Sequence, residues 1–181
     1  MNQTMAEISP HFIVSTKKIG GSLKRIHKDM RFTKDKTPYK TNIGIHFKHV
    51  RGKDVHAPGF YLHIEPAGVF ISARIWRPAT STQSNIRTLI DESPNGWNKI
   101  TSNITGKDGF QLDGSSLKRP PAGFTKDHVL IEDLKRKDYI AVKNLMASAV
   151  YAKNFDKKNS KTIYGSFTIV KFICAADDLP F

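Results

Sequence analysis

Phe60-Tyr61-Leu62-His63-Ile64-Glu65-Pro66-Ala67-Gly68-Val69-Phe70-Ile71-Ser72-Ala73-Arg74-Ile75-Trp76 is the stretch on which the fold turns. Two alternating runs flank a Pro66-Ala67-Gly68 turn, and alternation with a period of two is the mark of a half-buried strand. The stretch predicts an antiparallel hairpin with strands over 60–65 and 69–76. Pairing Glu65 with Phe70 sets Phe60, Leu62 and Ile64 opposite Ile75, Ala73 and Ile71, so one face is apolar throughout. The same pairing sets Tyr61 opposite Arg74 and His63 opposite Ser72 on the other face, with Glu65 and Trp76 at its ends. A slip of one residue would mix the two faces, so the hydrophobic pattern fixes the parity.

Upstream, Asn42–Val50 alternates Ile43, Ile45 and Phe47 against Gly44, His46 and Lys48, which predicts a further strand over 42–50. Downstream the period lengthens. Thr80-Ser81-Thr82 leads into a helix with Ile86, Leu89 and Ile90 on one stripe, stopped by Pro94. Gly96–Ile104 predicts a short helix with Trp97, Ile100 and Ile104 inward, and Gly106–Leu112 a turn and short strand. The prolines of Leu117–Gly123 exclude a helix and predict a stiff extended loop. Asp127–Lys137 reads as a helix capped by Asp127, with Ile131 and Leu134 facing in. Tyr139–Val142 reads as a strand, Leu145–Ala152 as a helix, and Thr162–Ala175 as a last apolar element. Hairpins first and helices afterwards predict an α+β fold, an antiparallel sheet (about 42–50, 60–65, 69–76) followed by helices packed on one face. The length of 181 residues predicts a single domain over 1–181.

The composition narrows the function. Twenty-nine Lys and Arg against 16 Asp and Glu give a net charge of +13. Residues 1–56 hold 12 basic and 4 acidic side chains, 57–116 hold 5 and 5, and 117–181 hold 12 and 7, so the excess lies toward the two ends. It is densest from Lys17 to Lys40, where nine cations meet only Asp29 and Asp35. Clustered charge of one sign attracts anions, although a lysine-rich loop also serves as a plain solvated surface. The single cysteine, Cys174, excludes an intramolecular disulfide framework and any cysteine-based zinc site. With no secretory leader pattern and no apolar run of membrane-spanning length, the expectation is a soluble, cytoplasmic protein with no membrane partner.

Three constellations could carry chemistry. Arg25, Lys28, Arg31, Phe32, Lys34, Lys36, Tyr39 and Lys40 interleave cations with aromatics, and Thr37-Pro38 pins a turn among them. Read as a strand, Leu23–Asp29 sets Arg25, His27 and Asp29 on one face, and Asp29 with Arg31 forms either part of an anion site or a structural pair. Lys118-Arg119-Pro120-Pro121 presents two cations from a rigid backbone, and is expected to face the same ligand. The polar hairpin face offers His63 as its one neutral-range titrating group, with Tyr61, Glu65, Ser72 and Arg74 around it. His63 with Glu65 suits a general base and its orienting carboxylate, and equally a satisfied structural histidine. His46 and His49 fall on opposite faces of a strand, and no metal-ligand spacing, P-loop or dinucleotide fingerprint is present, so neither a metal nor a cofactor is expected.

Arg25-Ile26-His27-Lys28-Asp29-Met30-Arg31-Phe32-Thr33-Lys34-Asp35-Lys36-Thr37-Pro38-Tyr39-Lys40-Thr41-Asn42 and Leu117-Lys118-Arg119-Pro120-Pro121-Ala122-Gly123-Phe124, with Tyr61–Pro66 and Trp76-Arg77-Pro78 between them, resemble the domain of unknown function 2461 family over about 22–144. The resemblance implies motif positions and no reaction, because the family has no established activity. It also implies that the chain lacks a further N-terminal helical segment. At Ser72-Ala73-Arg74 the chain departs from a glycine-rich stretch of the family, and Arg74 stands where glycine would let a ligand approach the backbone.

Three readings follow. The first is a binding protein for a phosphate-bearing ligand, single-stranded nucleic acid included. Its site is drawn from Arg25, Asp29, Arg31, Phe32, Lys34, Lys36, Tyr39, Lys40, Tyr61, Arg74, Lys118 and Arg119, with the aromatics free to stack bases. The alternative is an enzyme acting on an anionic small molecule, with His63 as acid or base. The third is a scaffold whose basic ends meet an acidic partner.

Overall fold

A computed structural model describes residues 9–31, 34, 36–52, 56–107, 109–151 and 167–180. Five strands, β1 (Ile43–Lys48), β2 (Gly59–Glu65), β3 (Gly68–Ile75), β4 (Gln111–Asp113) and β5 (Tyr139–Leu145), form one sheet. Their order is β1-β2-β3-β5-β4, with every neighbour antiparallel. Helices α1 (Thr80–Glu92), α2 (Pro94–Ser102), the single turn α3 (Ile131–Leu134) and α4 (residues 167–176) complete an α+β domain. A π turn, Asn103–Lys107, prolongs α2, and a 3-10 turn, Ala147–Tyr151, follows β5. No helix among the described residues is long and apolar enough to cross a membrane.

The helices cover one face of the sheet. Phe47, Phe60, Ala73, Ile75, Tyr139 and Ala141 meet Ile86 and Ile90 of α1, Trp97 of α2, Leu134 of α3, and Ile169, Val170 and Ile173 of α4 in one continuous core. Phe60 is its pivot, with Phe12 edge-on at 5.0 Å and Phe167 at 4.8 Å. At the far end of the same face Leu62, Val69 and Ile71 form a smaller cluster, against which Val150 packs. Removing surface of this size from water is the main favourable contribution to the fold.

The hairpin keeps the expected parity but not the expected register. Glu65 pairs with Gly68, so the turn holds only Pro66 and Ala67, and Tyr61 faces Ser72 while Gly59 faces Arg74. A slip of two residues leaves every side chain on its face. Pro94 starts α2 rather than merely ending α1, since its missing N–H is not needed at a first helical position. The helix expected over 127–137 shrinks to one turn without a side-chain cap, because His128 Nδ1 takes the Leu130 N–H at 3.0 Å and holds the preceding residues in turns. The segment expected as a helix from Leu145 stays in β5 through that residue, and residues 152–166 lie outside the described part of the chain.

Asp138 secures the junction of β3, β4 and β5. Its buried carboxylate accepts the Arg77 N–H at 2.8 Å, the Ser115 N–H at 3.0 Å and the Ser115 hydroxyl at 2.6 Å. The first of these holds Arg77 at a φ of 47°, a conformation a non-glycine residue rarely adopts. Burial alone would raise the carboxyl pKa, yet the bonds from Ser115 and Arg77 outweigh it and hold the group below its ordinary value. Asp138→Ala is expected to lower the unfolding free energy by about 3 kcal/mol, because it strands buried donors, and Ser115→Ala by about 1 kcal/mol. Because the folded pKa is depressed, the Asp138 contribution is complete above about pH 4 and is lost as pH falls through the folded value. Urea unfolding at pH 7 and pH 3 reads both effects, and equal midpoints for wild type and Asp138→Ala at pH 7 would refute them.

Candidate functional site

The face of the sheet turned away from the helices carries the charge. The pairings set its side chains in rows across the strands. Lys48, Gly59, Arg74, Ile140 and Asp113 make one row, and His46, Tyr61, Ser72, Val142 and Gln111 the next. Outside β1 the chain adds a further extended segment. Leu23 bridges Ile45, the Lys24 N–H donates to the Gly44 carbonyl, and the His46 N–H donates to the Ser22 carbonyl. Alternation then places Lys24 on the same face as His46 and Lys48. The segment continues into a second bridge, His27 to Tyr39, where the Lys40 N–H donates to the Ile26 carbonyl.

Two glycines let the centre of this face pack closely. A Cβ on Gly44 would collide with the Tyr61 hydroxyl, so only glycine lets the phenol lie across β1. A Cβ on Gly59 would strike the Phe47 carbonyl and reach within 3.0 Å of His46 Nε2. The Arg74 guanidinium lies over the Tyr61 ring, 5.0 Å from its centroid. Arg74 Nε and His46 Nε2 are both shut off from solvent and meet no hydrogen-bond partner among the described residues. Two clefts open beside them, one of about 770 Å³ between residues 17–25 and His46, the other of about 510 Å³ beside Ser72 and Arg74.

The electrostatics follow from this crowding. Burial, then Arg74, Lys24 and Lys48, pull the His46 imidazole down to about 3, so it is neutral at pH 7. Burial, with Arg74, Lys48 and Lys40 nearby, also lowers the Lys24 ammonium. Burial lowers Arg74, with only weak opposition from Tyr61 and Asp138. Asp138 is engaged by Ser115 and Arg77, and its charge offsets the burial of Arg74 only in part.

His63 sits at the margin. Its ring stacks on Phe70 at 4.6 Å with an interplanar angle of 8°. Asn42 Nδ2 donates to Nδ1 at 3.2 Å, with the Tyr61 hydroxyl at 3.4 Å, and Nε2 faces the Glu65 carboxylate at 3.5 Å. Both ring nitrogens therefore look at protein groups, an arrangement that fixes the ring and through it Phe70.

The basic motif divides. Arg31 grips Asp29 through Nε at 3.0 Å and a terminal nitrogen at 2.7 Å, with Arg25 at 3.9 Å from the same carboxylate. The Arg31 bonds hold the Asp29 carboxyl far below its ordinary range. Lys36 caps the Met30 carbonyl at 3.0 Å, Lys34 is exposed, and Tyr39 packs against His27 at 5.3 Å. Phe32 lies outside the described residues. Lys118 and Arg119 are exposed in the loop after β4, where the Leu117 N–H donates to the Lys135 carbonyl. That loop leaves the sheet on the β4–β5 side, four strand spacings or roughly 19 Å from β1. Of the residues expected from the sequence, Lys40, Tyr61 and Arg74 thus come together, whereas Lys118 and Arg119 stand at the other edge. His46, Lys24 and Lys48 join the cluster unforeseen. The signal for two of them was the polar half of the β1 alternation, and what was missing was the strand order that sets β1 beside Tyr61.

The family model described as conserved hypothetical protein (DUF2461) matches residues 1–172. The chain belongs to this family. The match extends at both ends beyond the 22–144 stretch that carries the sequence resemblance, and takes in the first residues of α4. No curated protein and no solved structure matches the chain. Among the described residues no group of three His, Cys, Asp or Glu side chains is placed to hold a metal ion.

The depressed His46 pKa has a consequence for stability. Because the unfolded chain takes up a proton near pH 6.5 and the folded one only near 3, stability is complete above 6.5 and falls as pH drops toward 3. His46→Gln is expected to reduce the slope of stability against pH between 5 and 6 by close to one proton, about 1.4 kcal/mol per pH unit. The slope does not vanish, since burial also depresses His49. Urea titrations at pH 5, 6 and 7 measure it, and an unchanged slope in His46→Gln would contradict the assignment.

Proposed function

We propose that the protein binds a phosphate-bearing ligand on the open face of its sheet, with Arg74 as the central contact and Lys24, Lys40 and Lys48 supplying the surrounding field. The observation that carries this reading is Arg74 itself. Its Nε is buried without an acceptor among the described residues, and it stands near a neutral histidine and Lys24, which have Lys48 and Lys40 close to them in turn. A buried donor left unbonded is costly, and like charges gathered at low dielectric raise that cost. A phosphate at the guanidinium would offset the gathered positive charge, and guanidinium geometry suits it.

The enzymic alternative, an anionic substrate turned over with His63 as acid or base, has less support because both His63 nitrogens face Asn42, Tyr61 and Glu65. The reach of the ligand separates a small molecule from a nucleic acid. A strand of nucleic acid long enough to span the sheet would engage Lys118 and Arg119 as well as Arg74, whereas a small phosphate ester would not.

Isothermal titration with inorganic pyrophosphate, and anisotropy of labelled single-stranded oligonucleotides at several salt concentrations, test this. Binding is expected to weaken as salt rises, and Arg74→Met to weaken it at least about tenfold. The double variant Lys118→Met/Arg119→Met is expected to leave pyrophosphate binding unchanged and to weaken only an oligonucleotide. Equal affinity in wild type and Arg74→Met, or no binding of either probe at low salt, would overturn the reading.

A further inference from the structure

Resting on that reading, we propose that the ligand is a condensed phosphate, a chain of three or more linked phosphate groups that runs from Arg74 into the cleft between β1 and the loop of residues 17–21 and is recognised through that chain alone. The cleft of about 770 Å³ carries Lys17, Lys18, Lys24, Arg25 and Lys48 on its walls. Among the described residues no carboxylate lines it. Asp29, 3.9 Å from Arg25, is already gripped by Arg31. A single phosphate group carries only about two negative charges. The five cations of the cleft call for more, and linked phosphates supply further charge with each group along a flexible chain.

The outer wall is a built turn. The Ser22 N–H donates to the Ser15 carbonyl at 2.8 Å, the Ser15 N–H to the Ser22 hydroxyl oxygen at 3.0 Å, and that hydroxyl to the Ile13 carbonyl at 3.3 Å, which ties the two ends of the loop together. Gly21 lies so close to the Lys17 carbonyl that a Cβ there would collide with it. Lys17 and Lys18 are thus presented from a fixed backbone, which lowers the entropy lost on binding. The inner wall includes His46, which is 3% exposed and whose Nε2 meets no partner among the described residues. The Arg74 charge acts on both His46 and Lys24, so the cleft and the Arg74 contact share one field. Lys48 and Arg74 stand in one row two strand spacings apart, roughly 10 Å, a gap that a phosphate chain spans and a single group does not. Apart from His46, the uncharged lining is aliphatic, hydroxyl or glycine, so no ring is there to stack a base.

Isothermal titration of the full chain with orthophosphate, pyrophosphate, tripolyphosphate, AMP and ATP in metal-free buffer measures the dependence on chain length. Tripolyphosphate is expected to bind about tenfold or more tightly than pyrophosphate, because the added group brings further charge-assisted contacts. ATP is expected to follow tripolyphosphate, and AMP orthophosphate. Lys17→Gln/Lys18→Gln, on the exposed loop, is expected to weaken tripolyphosphate about tenfold and pyrophosphate by less. Lys118→Met/Arg119→Met removes the same charge at the other edge of the sheet and is expected to change neither. Arg74→Met is expected to weaken every phosphate probe. Imidazole NMR supplies a second readout: tripolyphosphate is expected to shift the His46 resonances, identified by their loss in His46→Gln, and not those of His128, which is held by Asp91 away from the cleft. If tripolyphosphate merely equals pyrophosphate, if the two double variants weaken it alike, if AMP binds as tightly as ATP, or if His46 does not respond, the condensed-phosphate proposal is wrong, while pyrophosphate binding that depends on Arg74 keeps the phosphate-binding reading. If no probe binds, both fall.

Discussion

Phe60, Leu62, Val69, Ile71, Ala73 and Ile75 are buried on one face of the β2–β3 hairpin, and neighbouring residues of a strand point to opposite sides. Their burial therefore sends Tyr61, His63, Phe70, Ser72 and Arg74 to the other face. The core and the candidate site are two consequences of one alternation. A change that shifted the register by one residue would bury Arg74 and Tyr61 among the helices and expose Phe60, so the hydrophobic contacts that hold α1, α2 and α4 also hold the polar face outward. This is why the register could differ by two residues from the simplest reading of the turn without altering the chemistry of either face.

The same alternation explains what could be read from the sequence. Strand parity is local, so the three N-terminal strands, the two faces, and the grouping of Tyr61 with Arg74 were legible from side-chain order. Turn length was not, because Pro66-Ala67 and Pro66-Ala67-Gly68 both break a strand, and only the two-residue turn draws Gly68 into β3. The one-turn α3 escaped for a different reason. Asp127 has the chemistry of a helix cap, but the His128 side chain binds the Leu130 amide and competes with helical bonding there. Strand order is a long-range property. Nothing near Lys24, His46 or Lys48 in the chain indicates that they face Arg74, and nothing near Lys118 indicates that β5 and β4 stand between it and the Lys17–Lys40 segment. The Asp29–Arg31 pair was visible as a possibility, and the structure spends that arginine on its own loop.

Net charge and local charge do different things in this molecule. The excess of +13 is spread over surface loops such as Lys17–Ile19 and Lys118-Arg119, where water and salt screen separations beyond about 8–10 Å. Such charges raise the rate at which an anion arrives more than they hold it. Around Arg74 the screening is weaker. Burial first, and then the charges of Arg74, Lys24 and Lys48, bring the His46 pKa down to about 3.

Desolvation sets the division of labour within that face. Lys24, Lys40 and Lys48 have flexible stems and strongly hydrated heads, so they can keep contact with water at the sheet margin. Arg74 cannot, because Tyr61 lies beneath its guanidinium and its Nε is already dry. On the phosphate-binding proposal, the desolvation that makes a buried cation costly has then been met before a ligand arrives, and less has to be given up on binding. A lysine at position 74 would have three rotatable donors and no planar fork, and would keep its water in preference to lying on the ring. Gly59 stands between Lys48 and Arg74 in the same row, where a Cβ would run into the Phe47 carbonyl and His46 Nε2, so glycine lets the strands and the imidazole pack closely there. On the phosphate-binding proposal, affinity resides in this one preorganised arginine and attraction in the lysines at the rim.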